Sequence, residues 1–363
     1  MLPASTFQEA FKRAVFTLAA RLAVARGRAA CICSASMPYP IALVLIASAA
    51  FAAGAAAAGP LDQTECIAPA KPGGGFDLSC KLVQRGLLDG RFITTPMHVR
   101  YLPGGIGAVA YSSVIAQSPP QPNAIVAFSG GSLLNLAQRK FGRHTEHDVR
   151  WLAAIGTDYG AVVVARDSPY QTLADVMRAM KADPSKVALG AGGTIGSQDW
   201  MKAALLARAA GASPKRMRFV AFEGGGEAIR ALEGGHIQVF SGDAAETLQQ
   251  IQAGARLRIL AVMSDQRLPG ALSQVPTARE AGAAISWPIV RGFYLGPGVS
   301  NADYALWSDA FSRMLASPGF QQLRAERGLF PMALVGKELD RYVHAQIAQY
   351  RELVREFGLQ TAP

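Results

Sequence analysis

Charge is scarce in this chain: Asp, Glu, Lys and Arg make up 17% of its 363 residues, while half of the residues are apolar. That balance excludes a disordered, solvating polyelectrolyte and a charged coiled coil. Histidine occurs five times and cysteine four times, and no Cys/His spacing suits a metal, so no metal site is expected. No dense Lys/Arg stripe with interleaved aromatics is present, which argues against a nucleic-acid partner. Nucleotide and nucleophile signatures are missing as well. No Gly-rich turn ends in Gly-Lys-Ser/Thr, and Gly73-Gly-Gly-Phe-Asp77 falls short of G-x-G-x-x-G. Ser129, in Ala-Phe-Ser-Gly-Gly, lacks the first glycine of a G-x-S-x-G elbow. His144 and His147 fall in a polar loop and His236 follows two glycines before a strand; these read as surface or turn residues. Asp77 and Asp243 read as helix-start residues rather than as a catalytic carboxylate pair. Neither catalysis nor a cofactor is therefore expected, and a nucleotide-using α/β enzyme is the weaker alternative.

The chain is long enough for two domains, each with its own core. Residues 41–58 carry no charge, end in a small-residue tract with several A-x-A options, and follow Lys12, Arg13, Arg21, Arg26 and Arg28. This is the pattern of a cleavable export signal. A retained anchor is the competing reading, weakened because half or more of those residues are Ala. Met37 is an alternative start, and Cys31 lies before the apolar run, where a lipoprotein cysteine does not belong. The whole chain has a net charge of +10; its 36 basic and 26 acidic residues, less five and one in residues 1–58, leave +6. A mild positive excess suits capture of small anions. Cys66 and Cys80 remain; an oxidising compartment permits a bond between them, but the sequence does not give their separation.

From residue 64 onward, short apolar runs alternate with amphipathic ones. Strands are expected at Glu65–Ala70, Met97–Leu102, Ala124–Ser129, Trp151–Ile155 and Ala161–Ala165, with Gly156–Gly160 as a loop. Helical spacing marks Phe76–Leu88 and Ile106–Gln117. A second set follows, with strands at 187–189, 218–221, 237–240 and 257–262, and helices at 173–181, 197–210, 227–232 and 244–253. The tail from Asp303 reads as three helices. This rhythm implies a largely parallel sheet covered by helices. Strand-rich stretches near 161–165 and 287–295 suggest two passages between lobes: 59–162 with 288–363, and 163–287.

Four Gly-rich turns each join a strand to a helix: Lys71–Asp77, Ser129–Ser132, Gly192–Ser197 and Glu223–Gly226. At such turns the free N–H groups of the first helical turn face outward, and glycine lets a ligand approach the backbone. A single turn is adequately explained as a tight connection with an N-cap; two in each half point to an anion cleft at the carboxyl ends of the strands. The energetics suffice without a metal. Helix N-termini contribute about 0.3–2 kcal/mol and charge-assisted hydrogen bonds roughly 1.5–3 kcal/mol each. Several of each reach micromolar affinity, about −8 kcal/mol.

In this order the turns resemble those of the periplasmic receptors of tripartite tricarboxylate transporters, the Bug family. The resemblance rests on Cys66-Ile-Ala-Pro-Ala-Lys-Pro-Gly-Gly-Gly-Phe-Asp77, Arg100-Tyr-Leu-Pro-Gly-Gly-Ile-Gly107, Leu189–Ser197, Phe222–Gly235, Leu260–Met263, Val275–Gly282 and Trp287-Pro-Ile-Val-Arg-Gly-Phe-Tyr294, spanning about 64–358. It implies an α/β, two-lobe periplasmic binding fold (type II-like) with two crossover segments. It further implies a monomer serving one large and one small membrane subunit of a secondary transporter. In the family, backbone amides and hydroxyls of the turns grip a carboxylate. That implies Gly74, Gly75, Phe76, Asp77, Ser129 and Ser132 as ligand contacts, with Thr194, Gly196, Ser197, Gly225 and Asp243 opposite. The first and last motifs look most like citrate-type receptors. Phe76 stands where many members have Thr, and Arg100-Tyr-Leu-Pro-Gly replaces the usual Asn-Arg-Pro-Gly, which favours a citrate-like ligand over amino acids or nicotinate. A tricarboxylate needs added positive charge, for which Lys71 and Arg291 are the candidates, solvation or structural ion pairs being the plain alternative. Tyr159 is a further candidate contact, or a core residue. A sensory protein serving a membrane histidine kinase would share this fold and site.

Overall fold

A computed structural model describes residue 61 and residues 63–359; the expected export segment, 1–58, lies outside the described residues. The chain builds β1 (Glu65–Ala68), α1 (Gly75–Asp89), β2 (His98–Tyr101), α2 (Ala108–Ala116), β3 (Ala124–Ser129) and α3 (Gly130–Ala137). The long β4 (Arg150–Ala165) leads into α4 (Leu173–Ala182), β5 (Ala188–Gly192), α5 (Gln198–Ala209), β6 (Arg218–Phe222) and α6 (Gly225–Glu233). Then come β7 (Val239–Asp243), α7 (Ala244–Gln252), β8 (Leu257–Val262) and β9 (Pro288–Leu295). The tail holds α8 (Asn301–Ala316), α9 (Pro318–Glu326), β10 (Leu334–Val335) and α10 (Lys337–Glu356).

The strands run in the order β2-β1-β3-β9-β4-β7-β5-β6, with β8 and β10 also bonded to β4. β1 is parallel to β2 and β3, and β5 is parallel to β6 and β7, as strand–helix–strand connections require. The centre is different. β9 is antiparallel to both β3 and β4, and β4 is antiparallel to β7 and β8. The expected largely parallel sheet therefore holds only in the two outer triads, and the whole is a mixed sheet.

The loop expected at Gly156–Gly160 is strand. Thr157, Asp158 and Tyr159 pair with Val290, Ile289 and Pro288 of β9, and Gly160 pairs with Asp243 of β7. Register slips between Ala154 and Gly156 and between Val162 and Val163 identify the irregularity behind the glycine signal: bulges, not a chain reversal. The core lies on both faces of these central strands, where Ile125, Val126, Leu152, Ile155, Val162, Val163 and Phe293 are fully buried. Apolar runs without polar alternation produce this, because helices cover both faces.

Cys66 of β1 and Cys80 of α1 form a disulfide with a Cα–Cα distance of 5.7 Å, answering the pairing that the sequence left open. It ties the first helix to the first strand and so holds the turn between them. Among the described residues no helix is long and apolar enough to cross a membrane.

Candidate functional site

Five helices begin at one cleft. Its inner cavity, about 50 Å³, is lined by Gly74, Gly75 and Phe76 at the start of α1, by Ser129 and Gly131 at α3, and by Ser197, Gln198 and Asp199 at α5. Gly224 and Gly225 at α6, Asp243 and Glu246 at α7, and Arg291 of β9 also line it. Fifty cubic ångströms is room for one or two water-sized groups. A wider cavity of about 480 Å³ shares Ile106, Ser197 and Glu223 with it and adds Lys71, Asn135, Lys140 and Thr194.

The helix starts differ in what remains free. At α3, Ser129 accepts from the Gly131 N–H at 3.2 Å, and the Ser129 N–H donates to Ser132 Oγ at 3.3 Å, a capping box. At α5, Ser197 Oγ accepts from the Trp200 N–H at 3.2 Å and donates to the Gly192 carbonyl at 3.1 Å. By contrast α1 and α6 begin at Gly74 and Gly224 with no side-chain cap, so their first N–H groups face the cleft without side-chain competition. The glycines just inside these helices are crowded. A Cβ on Gly75 would overlap the Arg291 guanidinium, and one on Gly225 would overlap the Glu246 carboxyl. A Cβ on Gly226 would come within 2.9 Å of the Pro72 carbonyl oxygen and the Gly73 backbone.

Of the residues expected to form the site, Gly74, Gly75, Phe76, Ser129, Ser197, Gly225, Asp243 and Arg291 share the inner cavity, and Thr194 lines the outer one. Four do not line either. Asp77 accepts from the Gly73 N–H and from Lys81, each at 2.8 Å, and from the Tyr101 hydroxyl at 2.7 Å, so it clamps the turn from behind. Ser132 is the capping partner of Ser129. Tyr159 packs edge-on against Phe330. The Gly196 carbonyl accepts from Gln138 Nε2 at 2.6 Å. Lys71 sits at the mouth, paired with Glu227 at 3.1 Å.

Beneath the cleft lies a chain of buried charges in which Arg291 takes the ion-paired alternative, joined by Asp158, Asp199 and Lys202, which sequence reasoning missed. Arg291 Nη2 donates to Asp158 at 2.8 Å and to Asp243 at 2.5 Å. Lys202 Nζ reaches Asp243 at 2.5 Å and Asp199 at 2.8 Å. The Arg291 Nε donor is buried with no hydrogen-bond partner. Burial pushes the Asp158 and Asp199 carboxyls up, opposed by Arg291 and Lys202 respectively. Burial acts on Asp243 too, but the two cations outweigh it and hold that carboxyl below its ordinary value. One signal pointed here: Lys202 falls between Met201 and Ala203-Ala204, a lysine set among apolar residues of a buried helix.

Burial, reinforced by the Asp243 charge, lifts the Glu246 carboxyl well above the ordinary 4.5. The folded protein therefore keeps a proton that the unfolded chain releases as pH rises past about 4.5, so this group costs stability in that direction. Glu246→Gln is expected to match the wild type near pH 4 and exceed it in stability near pH 8, read as urea midpoints; equal midpoints at pH 8 would refute the shift.

The family model of the tripartite tricarboxylate transporter family receptor matches residues 63–359. The chain is similar to a UPF0065 protein in the tcbD-tcbE intergenic region of Pseudomonas sp. (strain P51), 21% identical over 296 residues that cover 81% of this chain and 85% of the relative. A solved Rhodopseudomonas palustris protein with adipate superposes with a TM-score of 0.73 at 20% identity, covering 82% of this chain and 98% of that one. MatC of the same organism, with bound malate, gives 0.69 at 19% identity, covering 81% and 99%. These likenesses establish the α/β periplasmic binding protein fold expected from the sequence. The family is one of receptors, not of enzymes, and the match runs through nearly every described residue: the chain belongs to the tripartite tricarboxylate transporter receptor family.

Proposed function

We propose that this chain is exported to the periplasm, loses residues 1–58, and captures a small carboxylate for one large and one small membrane subunit of a secondary transporter. The lobes are 59–162 with 288–363 and 163–287, joined through β4 and β9, and the ligand lies between them. The observation that carries this reading is the convergence of the uncapped N-termini of α1 and α6 on one cavity beside Arg291.

Cavity shape and charge refine the ligand. The inner space admits one carboxyl group, and the outer space, with Lys71 and Lys140 on its wall, admits the remainder of the molecule and a second carboxyl. Three carboxyls at the base of the cleft (Asp158, Asp199 and Asp243) face two buried cations, Lys202 and Arg291, and Glu246 beside them is a neutral acid. That surplus disfavours crowding three more negative charges together, so dicarboxylates are expected to bind at least as tightly as citrate, whose claim rests on the citrate-type motifs. The adipate and malate carried by the two R. palustris proteins support the same class.

Calorimetry with malate, adipate, citrate, NAD and ATP tests this. Micromolar binding of at least one of the carboxylates and none of the nucleotides is expected. Failure of every di- and tricarboxylate in the panel would remove the proposal.

A further inference from the structure

A second cluster, away from the cleft, brings together residues almost two hundred positions apart. Glu146 and His147 precede β4, and His344 lies on α10; ligand atoms of all three fall within 4.8 Å of one another. His147 Nδ1 and His344 Nε2 are 3.2 Å apart. The opposite nitrogen of His344, Nδ1, is 2.7 Å from the backbone carbonyl of Asp340, which can only accept. The proton of neutral His344 therefore sits on Nδ1, and Nε2 presents a lone pair toward His147. A histidine oriented by a backbone carbonyl behind it is the arrangement that metal-ligating histidines use. Glu146 is held in place by Arg351, which donates to its two oxygens at 2.8 and 3.0 Å. Each carboxylate oxygen keeps a lone pair beyond those bonds.

We infer that Glu146, His147 and His344 form a surface site for a borderline divalent transition ion, with zinc, nickel and copper as the matching class. The two histidine nitrogens already stand at ligand spacing, and the Glu146 carboxylate lies within 4.8 Å of them. Two imidazole nitrogens at 2.0–2.1 Å from a tetrahedral zinc stand about 3.3–3.4 Å apart, and here they stand 3.2 Å apart. Two imidazoles with one carboxylate select this class over magnesium or calcium, which prefer all-oxygen shells. The cluster opens into a shallow concavity lined also by Val149, Asp340 and Arg341, giving a hydrated ion a path of entry. A bound ion would fasten the C-terminal helix to the segment that starts the central strand. This inference is independent of the solute proposed for the cleft.

The test is titration of chelator-treated protein with zinc chloride in citrate-free buffer, followed by calorimetry and thermal melting. One saturable site of micromolar affinity is expected, unaffected by millimolar magnesium, with a rise in Tm on zinc addition. His147→Ala and His344→Ala are each expected to weaken zinc at least tenfold and abolish the Tm rise, while His144→Ala, outside the cluster, leaves both unchanged. Metal-free melts of the variants that match wild type separate lost ligation from lost folding. Absence of saturable zinc uptake, or His147→Ala and His344→Ala binding as tightly as wild type, would show an ordinary His–His hydrogen bond and overturn the site.

Discussion

Arg291→Met is expected to destabilise the protein by about 3–5 kcal/mol, the cost of removing one partner from a buried ion pair. The side chain is 2% exposed, and its carboxylate partners Asp158 and Asp243 are 0% and 7% exposed. Without the guanidinium, Asp158 keeps only the N–H groups of Tyr159 and Ala245, while Asp243 still has Lys202. Asp158, left without a cation, must protonate or draw in water, and either route penalises the folded state. Arg291→Lys restores the charge but not the planar donor fork, so it is expected to recover only part of the loss. Urea unfolding at neutral pH reads both; a loss below about 1 kcal/mol for Arg291→Met would mean that the site solvates its carboxyls readily.

The paired substitution Cys66→Ala/Cys80→Ala is expected to cost about 3 kcal/mol, the loop-closure entropy of a crosslink of this length, here with a sequence separation of 14. Because the crosslink holds β1 against α1, the Gly73–Gly75 turn that opens the cleft should loosen with it. Wild-type protein in reductant is expected to fall to the midpoint of the variant, and the variant to ignore reductant. Coincident unfolding curves for the two proteins without reductant would show that the crosslink adds nothing. Each loss is large against the roughly 5–15 kcal/mol that holds a typical domain together.

Much of the cleft was legible because its signal is local. A strand, a run of glycines and a helix start within a few residues of each other, as at Pro69–Phe76 or Gly192–Gln198, already imply where backbone N–H groups will point. Residues whose roles depend on distant partners were not legible. Asp158 was assigned to a loop because glycines flank it, yet it lies on a bulged strand and pairs with Arg291, 133 positions away. Asp77 was expected to touch ligand, but Tyr101 and Lys81 take its oxygens. His147 looked like an ordinary loop residue because its neighbour, His344, arrives from a helix 197 positions later. The disulfide was half legible: only two cysteines lie beyond residue 58, but their approach depends on how α1 packs on β1.

Where Gly226 meets Pro72 and Gly73, main chain abuts main chain with no room for a methyl group. That contact is made by atoms that every residue type carries. Even the smallest side chain at this seam would act as a doorstop, holding the first turn of α6 away from the loop that leads into α1.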